Sequence, residues 1–201
     1  MKDARKNVAV LVSGSGTNLQ AIIDSDIECT NIAVVICNNP EAYAITRARN
    51  SDIPVEIVNH RDFDSREMFE RELVNRLDKY SVDLIVLAGF MRVLSSYFVN
   101  KYKLRIINLH PALLPSFPGM HAARQALEHG VKYTGCTVHF VDDGIDTGPI
   151  ILQSVIEVND NDSEESLLER IHKLEHKIYP EAIRLFCEGR LSVVGRRVYI
   201  D

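Results

Sequence analysis

A chain of 201 residues, 46% of them hydrophobic, is long enough for one sizeable core. The net charge of -5 and sequence pI of about 5.8, with no run of five like charges, exclude a basic nucleic-acid arm and an acidic tail. Cys29, Cys37, Cys136 and Cys187 stand far apart with no C-x-x-C, so reduced thiols are expected rather than a disulfide scaffold.

The N-terminal "MKDARKNVAVLVSG" has only a short apolar run, Val8–Val12, before Ser13, too little for a signal peptide or a membrane span. A soluble, cytoplasmic protein with no membrane and no nucleic-acid partner is expected. Val8–Val12 reads as a strand, "SGSGTNL" as a glycine-rich turn, and the residues after it as a helix. Such a helix N-terminus presents N–H groups and a positive dipole end, which suits a phosphate. The named phosphate and nucleophile motifs fail here. Leu19 stands where the dinucleotide pattern needs its third glycine, there is no G-K-[ST], and Ser13 and Thr17 flank Ser15 where a nucleophile elbow needs glycines. A phosphate site and a ligand-free strand–helix turn both remain open.

Further apolar runs at Ile32–Cys37, Val55–Val58, Leu84–Ala88 and Arg105–Leu109 predict strands, and Ala42–Asn50 and Glu67–Tyr80 predict helices between them. Ser65, three residues before Met68, is a modest N-cap signal. Strands alternating with helices imply an α/β fold with a doubly wound, mostly parallel sheet. Later come a helix over His121–His129 stopped by Gly130, strands at Thr134–Val141 and Ile150–Val158, and a long helix opened by "NDNDSEE". Leu167, Leu168, Ile171, Leu174, Ile178 and Ala182 form its apolar stripe, and Pro180 is expected to kink or break it. Gly189 ends it, and "LSVV" with "RVYI" form a short closing β pair. Without repeat or linker, a single domain over residues 1–201 is expected.

Three groups of polar residues invite chemistry. "HKLEH" at 172–176 matches H-x-x-E-H, but no convincing third zinc ligand follows, so a polar helix face is preferred and no metal is expected. "DDGID" at 142–146 is a solvated turn, or else it sends one carboxylate to His110; spacing leaves the two readings equal. Asn108 and His110, two apart at a strand's carboxyl end, point to the same side. There an amide can donate to an oxyanion and an imidazole can move a proton. No nucleophile adjoins them, which favours direct attack by one substrate on another. Pro111, Pro115 and Pro118 stiffen the loop that follows.

Taken together, "SGSGTNLQAI", "AGFMRVL", "NLHPALLPSFPG" and "HFVDDGIDTGPIILQ" resemble the folate-dependent formyltransferases, and within them the branch acting on glycinamide ribonucleotide (GAR) in de novo purine biosynthesis. The similarity extends over essentially the whole chain. Methionyl-tRNA formyltransferases differ in typically following the loop with Arg-Gly-Ala, where this chain has Pro118-Gly119-Met120-His121-Ala122, and in adding a C-terminal RNA-binding domain that is not expected here. Formyltetrahydrofolate hydrolases usually carry an N-terminal regulatory domain, whereas the first strand here starts at about Val8.

The resemblance implies a Rossmann-like fold, with a phosphate- and GAR-binding half over about residues 1–100 and a catalytic, folate-binding half over about 101–201. It implies transfer of a formyl group from the co-substrate 10-formyltetrahydrofolate to the amine of GAR. Asn108 would stabilise the oxyanion, His110 would act as general acid/base, and Asp146 would raise the proton affinity of His110. Gly16, Thr17 and Asn18 would bind the GAR phosphate, and Glu175, with His172 one turn earlier, the ribose. The backbone of Met91, Arg92, Val93 and Leu94, with Asn108 and the loop Asp142, Asp143, Gly144, Ile145 and Asp146, would hold the folate, and Arg66 would meet its glutamate tail. Formylfolate hydrolysis and a non-catalytic phosphosugar- or folate-binding protein stand as alternatives; a homodimer is compatible with either outcome.

Overall fold

The computed structural model describes residues 5–201, which divide into two units at Ile107/Asn108. In the first unit the apolar runs become β1 (Lys6–Val12), β2 (Thr30–Cys37), β3 (Val55–Ile57) and β4 (Leu84–Leu87), with β5 (Ile106–His110) beginning at its end. β1 pairs in parallel with β2 and β4, and β2 with β3. The order is β3-β2-β1-β4, and the chain entering β5 lies beside β4, where Ile85 N–H donates to the Arg105 carbonyl. Val8–Val12, Val34–Cys37 and Leu84–Val86 have no exposed surface, as parallel strands covered on both faces should.

The helices of this unit are α1 (Thr17–Asp24), α2 (Ala44–Asn50), α3 (Arg66–Asp78) and α4 (Ser96–Lys101). α3 begins where Ser65 signals it: the Ser65 hydroxyl accepts the Met68 N–H at 3.2 Å. α2 starts two residues later than its sequence pattern, because Ala42 closes a turn onto the Asn39 carbonyl. The short α4 was not anticipated; it carries no periodic stripe and is fixed by its cap, Ser95, with Phe98 and Val99 buried beneath it.

In the second unit the end of β5 is followed by α5 (Ala122–Glu128), β6 (Tyr133–Phe140), β7 (Ile150–Glu157), α6 (Glu164–Cys187), β8 (Leu191–Val194) and β9 (Arg197–Ile200). The order is β5-β6-β7-β9-β8; β6–β7 and β8–β9 are antiparallel, so the closing pair forms as expected. The fold is thus α/β, with a mostly parallel central sheet, flanking helices and antiparallel C-terminal strands. α6 opens on a capping box in which Ser163 and Ser166 each accept the other's backbone N–H. Its buried stripe packs Leu167 and Ile171 with Ala123, Cys136 and Val158. Of the kink or break expected at Pro180, the break does not occur: the helix continues to Cys187, because Tyr179, Pro180, Ala182 and Ile183 all lie on the buried face and their packing outweighs one missing N–H. Among the described residues, no helix is long and apolar enough to cross a membrane.

Candidate active site

β5 delivers Asn108 and His110 to one side of the strand, and His110 is buried at 4% exposure. Its two ring nitrogens meet two acceptors. Nε2 lies 2.8 Å from the Phe117 carbonyl, and Nδ1 lies 3.2 Å from Oδ2 of Asp146. Asp146 also accepts the Gly119 N–H at 2.8 Å through the same oxygen, while its Oδ1 accepts the Asn108 amide at 3.4 Å. A fourth residue, His139, completes the cluster: its Nε2 lies 3.3 Å from Asn108 Nδ2 and 3.6 Å from Asp146 Oδ1. Its Nδ1 lies 2.9 Å from the Phe140 carbonyl, which can only accept, so Nδ1 carries a proton.

Electrostatically the cluster holds opposing tendencies. Either neutral tautomer of His110 turns one lone pair toward an acceptor, so only the imidazolium satisfies both neighbours. Burial opposes that charge most strongly and pushes the His110 pKa below its ordinary 6.5, although Asp146 and the Phe117 carbonyl lift it; His139 lowers it further. For Asp146, burial alone would raise the carboxyl, but the His139 hydrogen bond, the Gly119 N–H and the two imidazoles together hold it below its ordinary value.

The loop behind the pair is pinned as well as stiffened. The buried Thr137 hydroxyl donates to the Ala112 carbonyl at 2.7 Å and accepts the Leu114 N–H at 3.1 Å. Gln153 Nε2 donates to both the Leu114 carbonyl and Thr137. Phe117 and Asp146 take left-handed backbone, with φ of 53° and 54°, which aims the Phe117 carbonyl and the Asp146 carboxylate at His110. β6 shifts register against β7 between Val138 and His139, next to the residue that joins the cluster.

The acidic loop divides between its two readings. Asp142 closes a local turn, accepting the Gly144 N–H at 3.1 Å and the Thr147 hydroxyl at 2.6 Å, while Asp146 reaches His110. Asp143, Gly144 and Ile145 are exposed at its tip. Gly148 brings the chain back so tightly that a Cβ there would lie 1.8 Å from the Phe140 carbonyl. On α6, Glu175 sits on the buried stripe at 4% exposure; burial, reinforced by Glu175, pushes the Cys136 thiol up to about 12. His172 lies 3.9 Å from Glu175 and stacks on His176 at 6.5 Å. Among the described residues no group of three His, Cys, Asp or Glu side chains is arranged to hold a metal.

The first unit carries the remaining candidates. Gly16 precedes α1 with φ of 73° and no side-chain cap, and a Cβ there would lie 2.7 Å from that of Ala44. Arg47 braces this turn, donating to the Ser15 carbonyl at 2.9 Å and to Gln20 at 3.2 Å. Thr17 and Asn18 open α1 and are half-buried. Residues 91–94 form an irregular strip with Met91, Arg92 and Val93 exposed and Leu94 half-buried, and Arg66 is exposed at the first position of α3.

His139, Thr137 and Gln153 were not singled out from sequence. The spacing that marked Asn108 and His110 also joins Thr137 to His139, two polar residues two apart in a strand, and that signal was available.

Residues 6–183 match the family model described as formyl transferase. The chain is 47% identical over 194 residues to the trifunctional purine biosynthetic protein adenosine-3 of Drosophila melanogaster, covering 94% of this chain but 14% of that protein. It is 45% identical over 199 residues to the phosphoribosylglycinamide formyltransferase of Escherichia coli (strain K12), covering 97% of this chain and 93% of that one. Its structure superposes on that of glycinamide ribonucleotide transformylase 1 from Symbiobacterium toebii with a TM-score of 0.96 at 50% identity, covering 99% of this chain and 95% of that one.

Proposed function

The chain belongs to the formyl transferase family, and on that premise we propose that it transfers the formyl group of 10-formyltetrahydrofolate to the amine of GAR in purine biosynthesis. The observation that carries this reading is the His110 ring bracketed by Asp146 and the Phe117 carbonyl, with Asn108 on the same side of β5.

In this mechanism the GAR amine attacks the formyl carbon and the carbonyl electron pair moves to oxygen. Asn108 Nδ2 exchanges its long contacts, at 3.3 and 3.4 Å, for a bond to that oxyanion. His110, neutral at rest, takes the proton that the amine sheds. The imidazolium then formed is what its two acceptors were arranged to hold, so the stabilisation appears in the transition state and not before. That proton passes to the folate nitrogen as the carbon–nitrogen bond breaks and the carbonyl re-forms, leaving formyl-GAR and tetrahydrofolate with no net proton change. Gly16, Thr17 and Asn18 hold the phosphate at the N-terminus of α1, and Glu175 and His172 take the ribose. Residues 91–94 hold the pterin, and Arg66 the glutamate tail.

The test is GAR-dependent conversion of 10-formyltetrahydrofolate to the deformylated folate, followed by absorbance. Turnover that requires GAR supports the proposal. Formate release at the same rate without GAR would make the protein a hydrolase, and ligand binding without chemistry would make it a binding protein.

A further inference from the structure

Residues 91–94 are tied down at both ends by side chains that take no part in the chemistry above. At one end the Met91 N–H donates to the Ser13 hydroxyl at 2.8 Å. At the other, Glu70 on α3 accepts the Ser95 N–H at 2.7 Å and, through its second oxygen, the Ser95 hydroxyl proton. The same Ser95 oxygen accepts the Phe98 N–H at 3.4 Å and so caps α4. Glu70 has no exposed surface. A carboxyl group is rarely buried so completely, and this one directs both oxygens at a single serine. Its effect is to fix where α4 begins and therefore where the strip ends.

What lies between the two ties is unsatisfied. Among the described residues, the backbone groups of Arg92, Val93 and Leu94 form no hydrogen bond. Met91 and Val93 are 67% and 60% exposed, so apolar side chains flank those free backbone groups. A fixed row of N–H and C=O groups beside apolar surface suits a flat heteroaromatic ring with alternating donors and acceptors on its edge.

We propose that Glu70 and Ser13 are positioning residues for the folate donor, holding residues 91–94 in the form that reads the pterin edge. This rests on the function proposed above. Removing either tie lets the strip sample other conformations, and the donor must then select the competent one.

The experiment compares wild type with Glu70→Ala, Glu70→Gln and Ser13→Ala in steady-state kinetics and in direct binding of 10-formyl-5,8-dideazafolate. Glu70→Ala is expected to raise the donor's KM and Kd by about 10-fold, the scale of losing a hydrogen bond to a charged group. The GAR KM and the saturating kcat should change far less. Glu70→Gln keeps an acceptor for the Ser95 N–H and should restore most of the donor affinity. Ser13→Ala should act in the same direction and decides the matter if Glu70→Ala does not fold. Folded variants with unchanged donor KM, or with GAR and donor KM rising together, overturn the proposal. If wild type itself binds no donor, the functional reading fails instead.

Discussion

In the proposed mechanism the His110 ring is neutral before the reaction and charged during it. Burial enforces the first condition, and Asp146 with the Phe117 carbonyl prepares the second. Because the free ring must accept a proton, kcat/KM should fall as pH drops through the His110 pKa, which lies below 6.5. Asp146→Asn removes a charge that lifts this pKa, so the acid limb should move to lower pH while the plateau kcat falls. An acid limb that stayed in place or moved up would contradict the pairing. Asn108→Ala should lower kcat by about 100-fold or more, the usual scale of one oxyanion donor. The aim of Asn108 and His110 was legible in the sequence because strand periodicity is a property of the backbone. The Phe117 carbonyl was not: it depends on a left-handed φ that nothing about a phenylalanine announces.

Between residues and fold, the elements that read well from sequence were those whose burial repeats. Val8–Val12, the β2 and β4 runs and the α6 stripe each show their period in apolar residues, and each formed. α4 has six residues and no stripe, so its existence depends on the Ser95 cap and on Glu70, a contact 25 positions away. Of the kink or break expected at Pro180, the break fails for a related reason: a local rule about one N–H is outweighed by tertiary packing along the helix. The link between β6 and the site loop was hidden in the same way, since Thr137 reads as an ordinary strand residue. Its hydroxyl serves Ala112 and Leu114 in buried contacts and the exposed Gln153 as well. Thr137→Val keeps the shape but leaves these groups without their partner, at about 1–3 kcal/mol for a buried unsatisfied group. Urea unfolding should show that loss, and kcat should fall because the loop carrying the Phe117 carbonyl is no longer pinned. A variant that lost stability yet kept wild-type kcat would mean that Thr137 supports the fold alone.

For the molecule as a whole, the buried titrating groups should set how it responds to acid. His110 and His176 are both pushed below 6.5 chiefly by burial, opposed at His110 by Asp146 and reinforced at His176 by its neighbour His172. Between their folded values and 6.5 the unfolded chain binds more protons than the folded one, so stability rises with pH across that window and levels above it. Asp146 adds a contribution with the same sign at lower pH: present above its ordinary 3.8, it is lost as pH falls through the depressed folded value. Glu72 and Glu181, held down by Arg76 and Arg184, act in the same direction, but they lie near the surface and count for little. The urea midpoint should therefore drop steadily from about pH 7 to about pH 5, as proton linkage requires. His110→Gln cannot take up the proton, so its midpoint should fall less over that span while still declining in stronger acid. A wild-type midpoint that instead rose as pH fell through the window would mean that His110 is charged when buried, and the proposed proton transfer would then have to start from the imidazolium.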